Sequence, residues 1–165
     1  SSQGSVEEFT AMKALCQKMG VQKITIKNDL AKQNSSLKGD DFLISNQKIA
    51  NYVAASELFG LSDIANILNE IKSGQIDTVI YWGRHSGEFS QDSFKKDLRL
   101  LQISPFVDEL TEIAELALPT LSHIEKSGTF KNIDGVETTF KKAVTICPDA
   151  KSEIEIFDKM LKSLS

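Results

Sequence analysis

The feature that most constrains this chain is the alternation of helical and strand-like hydrophobic patterns along most of its length. Apolar residues recur at helical spacing near the start, at Phe9, Met12, Leu15 and Met19. Gly20 then predicts the helix end, and the β-rich run 21–26 predicts a strand. Because such alternation is typical of βαβ units around a parallel sheet, we expect an α/β fold: a Rossmann-like, three-layer domain with a mostly parallel sheet and a C-terminal helix.

The middle of the chain continues the alternation. Helices are predicted over 49–58, 64–71, 91–96 and 107–113, and strands over 77–82, 98–104 and 116–118. Gly60 and Gly74 are expected to end the first two of these helices, and Ser62 with Asp63 to cap the second. The polar stretch 28–41 predicts a long loop. The run 77–82 is continuously β-rich, which predicts a central strand buried on both faces.

The last part of the chain departs from this pattern. Gly128 and Gly135 are expected to bracket a turn, and 136–146 is expected to be extended. The final helix is predicted to begin at Pro148 and Asp149. Its apolar stripe comprises Ile154, Phe157, Met160, Leu161 and Leu164.

Composition limits the class of protein. The 165 residues contain 41% hydrophobic and 25% charged residues, which suits one folded domain spanning 1–165. Residues 1–5 can be explained as a cloning remnant. A formal charge of -4 disfavours nucleic acid and anionic membrane surfaces as partners. No apolar run is long enough to span a bilayer, so we expect no membrane insertion and a cytoplasmic location.

The few histidines and cysteines predict neither a metal site nor a catalytic residue. Cys16 and Cys147 have no CxxC spacing and are expected to be two buried free thiols. His85 and His123 lie far apart, and His85 is interpreted as a solvated loop residue. Glu109 and Glu112 have the spacing of solvated helix positions, and Glu153 is expected in the first turn of a helix, where a negative charge is favourable.

The turn 83–87 follows the clearest strand and offers backbone amides beside Arg84, which would suit an anion. It lacks the GxGxxG fingerprint and the lysine of a P-loop, so an ordinary strand-to-helix turn is favoured. A small nucleotide-binding or anion-binding module at this turn is the third hypothesis for function.

Two segments carry a family resemblance, AELALP at 114–119 and EKSGTFKNIDG at 125–135. In this part the chain resembles the molybdopterin oxidoreductase superfamily, and within it most closely the large iron-sulfur subunit of respiratory complex I. The likeness extends from about Asp40 to Leu164. It implies a Rossmann-like layer and a parent protein that is an oxidoreductase, with iron-sulfur clusters elsewhere in the parent subunit.

The departures from the family pattern decide between two further hypotheses. The run Gly83-Arg84-His85-Ser86 stands where the family often has Gly-x-Asn-Pro, and Val136 stands where it has Arg. These changes favour a non-catalytic structural domain of a NADH-quinone oxidoreductase subunit, with no cofactor of its own. Its expected partners are other domains and subunits of the parent complex, through which it would be peripheral to the inner membrane. The alternative is a formate-dehydrogenase-like domain that holds molybdopterin guanine dinucleotide. Under that alternative the resemblance implies that Gly83, Arg84, Thr129 and Asn132 bind the pterin.

Overall fold

The computed structural model describes residues 4–26, 51–85, 97–132 and 134–164. Its helices are α1 (Val6–Met19), α2 (Tyr52–Phe59), α3 (Ile64–Ser73), α4 (Glu109–Ile113) and α5 (Glu153–Ser163), with a 3-10 helix at His123–Glu125. Its strands are β1 (Thr78–Trp82), β2 (Arg99–Ser104), β3 (Leu116–Pro119), β4 (Gly128–Lys131) and β5 (Glu137–Phe140). The predicted loop 28–41 and the predicted helix 91–96 lie outside the described residues.

Strands β1, β2 and β3 form a parallel sheet in that order. Tyr81 pairs with Gln102, and Ile103 pairs with Leu118. The expected α/β fold with a parallel sheet and a C-terminal helix is therefore confirmed. Because the strands are parallel, all three carboxyl ends lie at one edge of the sheet, which is where loops of open α/β sheets carry ligand sites.

Alternate residues of the strands face two different helical layers, as the period of two along a strand requires. On one face, Ile103 packs with Leu15 of α1 and Phe157 of α5. On the other face, Leu100 packs with Ile71 of α3 and Leu110 of α4. The sheet is thus the middle of three layers, as expected for this class of fold.

Strands β4 and β5 form an antiparallel hairpin outside that sheet. The rings of Phe130 and Phe140 stack across it with centroids 4.5 Å apart. The expectation that Gly128 and Gly135 bracket a turn is therefore corrected: Gly128 begins a strand, and only Gly135, at φ 79°, lies in the turn. Of the extended segment predicted at 136–146, Glu137–Phe140 is strand.

Two strand predictions are wrong. Residues 21–26 form no strand; the carbonyl of Ile24 accepts from the amide of Ser62 at 2.7 Å, and Ile26 packs into a cluster with α1 and α2. Strand β1 is half-buried rather than fully buried, and among the described strands β2 is the one with a partner on each side. The β-rich residues of β1 pack on both helical layers, Ile80 on one and Val79 on the other.

The helix boundaries follow the capping signals of the sequence. Gly20, Gly60 and Gly74 adopt left-handed conformations at the ends of α1, α2 and α3, and Asp63 caps α3 through the amide of Ala65 at 2.7 Å. The last helix begins later than predicted, because Ser152 rather than Pro148 or Asp149 is its N-cap.

One prediction about exposure is corrected. Cys16 is buried and free, but Cys147 is free and exposed because it lies in the irregular segment after β5. Near the start of the chain, Ser5 is 1% exposed and caps α1 in a reciprocal pair with Glu8.

Candidate functional site at the carboxyl edge of the sheet

The carboxyl edge of the parallel sheet contains a small cavity of about 50 Å³. Residues that follow all three strands line it: Gly83 and Arg84 after β1, Pro105 and Phe106 after β2, and Leu121 after β3. The other lining residues are Gly4, Trp82, His123, Lys126 and Glu153. This volume accommodates water and is far smaller than a dinucleotide.

Gly83 and Arg84 lie at this edge, as the sequence predicted. Gly83 extends the strand ladder by donating its amide to the carbonyl of Ile103 at 2.8 Å, and its φ of 117° favours glycine. The guanidinium of Arg84 lies over the ring of Phe106 at 5.5 Å from the centroid. Both residues also line an open, largely apolar cleft of about 1200 Å³ beside β1.

A partly buried polar network holds the backbone of His85, three residues after β1. The carboxylate of Asp108 accepts from the amide of His85 at 2.8 Å and from the side-chain amide of Gln102 at 2.8 Å. The hydroxyl of Thr111 donates to Gln102 at 2.8 Å. Burial opposes ionisation of Asp108, but these hydrogen bonds outweigh it and lower the pKa of its carboxyl.

His85 is therefore not the solvated loop residue that the sequence suggested. It is 5% exposed and lies beside the ring of Tyr81 with centroids 6.2 Å apart. Its Nε2 is 3.9 Å from a carboxylate oxygen of Glu109, a side chain that is 82% exposed. Glu112 is exposed as well, so the interpretation of these two carboxylates as solvated helix positions is confirmed.

Thr129 is bound to a carboxylate from helix α1. Its amide donates to one oxygen of Glu7 at 3.0 Å, and its hydroxyl donates to the other at 2.7 Å. Burial raises the pKa of Glu7, but the bonds from Thr129 outweigh it, and the net shift is downward. Both polar groups that Thr129 offers to a ligand thus already bind an anionic side chain.

Asn132 uses its side chain within its own turn. Its Oδ1 accepts from the amides of Asp134 and Val136, both at 2.9 Å. This Asx-type bonding stabilises the hairpin turn. Neither Asn132 nor Thr129 lines the small cavity or the cleft, so the structure groups Gly83 with Arg84 and leaves Thr129 and Asn132 in the separate hairpin.

A buried ionic triad, which no sequence pattern predicted, lies between helices α1 and α5. The ammonium group of Lys126 lies 2.7 Å from Glu8 and 3.0 Å from Glu153, and the three side chains are 10%, 3% and 3% exposed. Glu153 does lie in the first turn of α5, as predicted, but it is buried there. The three residues are far apart in sequence, and no local pattern could have joined them.

Glu125 was also missed as an organising residue. Its carboxylate accepts from the amides of Ile146 at 2.7 Å and Cys147 at 2.9 Å and from the hydroxyl of Ser122 at 2.8 Å. These bonds lower the pKa of Glu125 to about 2. The spacing of Ser122 and Glu125 is that of a capping box, so the sequence contained half of this signal.

These features define an α/β domain whose sheet edge has the position of a ligand site, with a small cavity of about 50 Å³ and an open cleft beside β1. A family model for molybdopterin oxidoreductase matches residues 42–163. The chain belongs to the molybdopterin oxidoreductase family, which confirms the resemblance at that level. No curated protein matches the chain.

The structure also bears on metals and membranes. Within residues 4–26, 51–85, 97–132 and 134–164, no cluster of histidine, cysteine and carboxylate side chains has the arrangement of a metal site. No helix in the same ranges has both the length and the apolar character needed to cross a bilayer.

Proposed function

We propose that this chain is a non-catalytic structural domain of the large subunit of a NADH-quinone oxidoreductase, descended from a molybdopterin-binding enzyme. One observation supports this most strongly: Glu7 occupies the amide and the hydroxyl of Thr129, a position that the family resemblance assigns to the pterin. An incoming pyrophosphate would have to displace this carboxylate and bind beside its charge, which is unfavourable for two anions.

The environment of Asn132 supports the same proposal. Its side-chain oxygen is used by two amides of its own turn. The donors withdrawn from a ligand are those two amides, of Asp134 and Val136. Val136 stands at the position of the family's arginine, so this position supplies no cation in their place. A phosphate-bearing cofactor needs several donors or positive charges, and the hairpin offers few that remain open.

Partners follow from the same proposal. Several apolar side chains are exposed around the domain, among them Val107 at 86%, Ile146 at 64% and Leu116 at 51%. We infer that such side chains contact neighbouring domains and subunits of the parent complex, which would be peripheral to the membrane. In this role the domain contributes surface and rigidity, while electron transfer takes place elsewhere in the subunit.

A titration with molybdopterin guanine dinucleotide tests the proposal. Trp82 is the only tryptophan of the chain and lines both the cleft and the small cavity, so its fluorescence reports binding at the carboxyl edge. We expect no saturable change with the wild-type chain. The variant Glu7→Gln is the matched comparison, because it removes the competing charge beside Thr129. Stoichiometric binding by the wild-type chain at micromolar concentration would overturn the proposal.

One observation favours the alternative, a pterin-holding domain of a formate-dehydrogenase-like enzyme. Arg84 lies at the carboxyl edge beside the cleft of about 1200 Å³, where a cation can meet a phosphate. If this alternative holds, Arg84→Gln should weaken pterin binding at least tenfold, because it removes a charged partner of the phosphate. A wild-type chain that binds no pterin contradicts it.

A further inference from the structure

The triad Glu8–Lys126–Glu153 contains more negative than positive charge in a buried place. Two carboxyl groups share one ammonium group at 2.7 Å and 3.0 Å, and the carboxyl side chains are 3% exposed. If both carboxyl groups are ionised, one negative charge is left uncompensated. A buried charge without a partner is costly, and two carboxyl groups that share a site do not ionise independently.

The hydrogen bonds of the triad show which carboxylate oxygen lacks a partner. Glu8 accepts from Lys126 with one oxygen and from the amide of Ser5 at 2.8 Å with the other. Glu153 accepts from Lys126 with Oε1, whereas its Oε2 is buried and has no hydrogen-bond partner among the described residues. Glu153 also lines the cavity of about 50 Å³, which has room for water.

The charged groups around the triad do not neutralise its excess negative charge. Arg84 and His123 line the same cavity, but among the described residues neither forms an ion pair with Glu8 or Glu153. Nearby carboxylates are engaged elsewhere, Glu7 by Thr129 and Glu125 by Ser122 and two amides of the segment after β5. Glu155 on α5 is exposed and bound to Ser152.

We propose that the triad is a proton-binding site, in which one of the two carboxyl groups keeps its proton above the ordinary carboxyl pKa and releases it to a buffer base at higher pH. Release leaves an uncompensated negative charge between helix α1, which carries Glu8, and helix α5, which carries Glu153. We infer that this charge loosens α1 from the rest of the domain. The site is independent of any pterin.

The pKa of Glu8 is consistent with this geometry. Burial raises it, and the charge of Glu153 raises it further, while Lys126 offsets part of the increase. When folding raises the pKa of a carboxyl, its contribution to stability is fully present below the pKa of the unfolded chain. That contribution is lost as the pH rises through the pKa of the folded chain. Stability therefore falls with rising pH, whereas an ordinary salt-bridged glutamate makes stability fall with falling pH.

The triad lies between helices α1 and α5, so a change in its charge affects how these two helices pack. Glu8 lies outside the family match at 42–163, whereas Lys126 and Glu153 lie inside it. The ring of Trp82 packs between Phe9 of α1, at 5.5 Å, and Phe157 of α5, at 5.4 Å. Trp82 fluorescence thus reports whether α1 remains in place.

Urea unfolding of the full chain from pH 5 to pH 9, followed by Trp82 fluorescence, tests the proposal. In the wild-type chain, the unfolding equilibrium constant should rise as much as tenfold per pH unit above the ordinary carboxyl pKa until the proton is released. Glu153→Gln leaves one carboxylate for one ammonium and should remove this rise. Asp158→Asn, a matched change at an exposed position of the same helix, should retain it.

Equal pH dependence in the wild-type chain and in Glu153→Gln would overturn the proposal. If Glu153→Gln does not fold, Glu8→Gln serves instead, because the glutamine oxygen can still accept from the amide of Ser5. Infrared spectroscopy gives a second measurement that needs no unfolding: just above pH 4.5, the ordinary pKa of glutamate, the wild-type chain should show the carbonyl band of one buried protonated carboxyl. Its absence there contradicts the proposal directly.

Discussion

Single polar side chains in this domain hold together segments that are distant in sequence. Asn51 is the clearest case, because its amide group donates to the carbonyls of Gly4 at 2.6 Å and Thr129 at 3.3 Å and accepts from the amide of Lys131 at 2.5 Å. It is 1% exposed and has a φ of 58°, which is unusual for a residue other than glycine. One residue thus joins the start of α1, the start of α2 and the hairpin.

Replacing Asn51 should therefore destabilise the domain. Asn51→Gly loses three hydrogen bonds but tolerates the positive φ, so we expect a loss of about 1–3 kcal/mol in the free energy of unfolding. Asn51→Ala loses the same bonds and keeps the backbone strain, which should add about 1 kcal/mol. Urea unfolding at pH 7 measures both; an alanine variant as stable as the wild-type chain would show that these bonds contribute little.

Glu125 should make the domain sensitive to acid. Because its pKa in the folded state is about 2, below its ordinary value of 4.5, its stabilisation is present above pH 4.5 and is lost as the pH falls toward 2. We expect Glu125→Gln to unfold at a lower temperature at pH 7 and to show a weaker loss of stability between pH 4.5 and pH 2. Thermal unfolding followed by circular dichroism measures this; parallel curves for both chains would contradict it.

At the scale of elements, the hairpin β4–β5 lies close to the start of helix α1 at Gly128. A Cβ atom there would lie 2.6 Å from the Cβ of Ser5, which is the N-cap of α1, and 3.1 Å from the ring of Phe140. Contacts this short force the backbone to shift. The absence of a side chain at Gly128 is therefore what allows the hairpin to pack against the start of α1.

Gly128→Ala should destabilise the domain by about 1–3 kcal/mol through this clash. Gly20→Ala is the control, because its Cβ meets open space and only the φ of 69° opposes it, at about 1 kcal/mol. Hydrogen exchange should show faster exchange at the start of α1 in Gly128→Ala only. Unchanged exchange there would mean that the hairpin does not support this helix.

The elements that the sequence predicted well are those with strong local signals. Periodicity and a capping residue defined α3, where Asp63 precedes the apolar face and Gly74 follows it. The errors have tertiary causes. The run 21–26 has strand-like residues but has no partner strand among the described residues. How deeply a strand is buried depends on neighbouring elements, which its own sequence does not specify.

The candidate site was predictable only in part, for the same reason. Gly83 and Arg84 were placed at the carboxyl edge by the rule for parallel sheets. The bond between Glu7 and Thr129 spans 122 residues, and the ion pair between Lys126 and Glu153 spans 27. Pairings at such separations leave no trace in periodicity or spacing, so burial of His85 and Glu153 could not be anticipated.

At the scale of the whole molecule, exposed apolar side chains should matter for assembly more than for folding. Val107 is 86% exposed, so Val107→Asp should change the free energy of unfolding by no more than about 0.5 kcal/mol. We expect the same variant to reduce incorporation into the parent complex. Thr138→Asp makes the same charge change at another exposed position and should assemble normally. If both variants assemble equally well, Val107 does not lie in the interface.

We propose that this domain of the molybdopterin oxidoreductase family holds no pterin, because the amide and hydroxyl of Thr129 and two turn amides of the hairpin already bind carboxylate and amide oxygens of the chain. Molybdenum content, determined by mass spectrometry on the parent protein purified from its own cells, tests this most directly. The account predicts far less than one molybdenum atom per chain. One molybdenum atom per chain, released together with a pterin bound near Arg84 or Asn132, would contradict it.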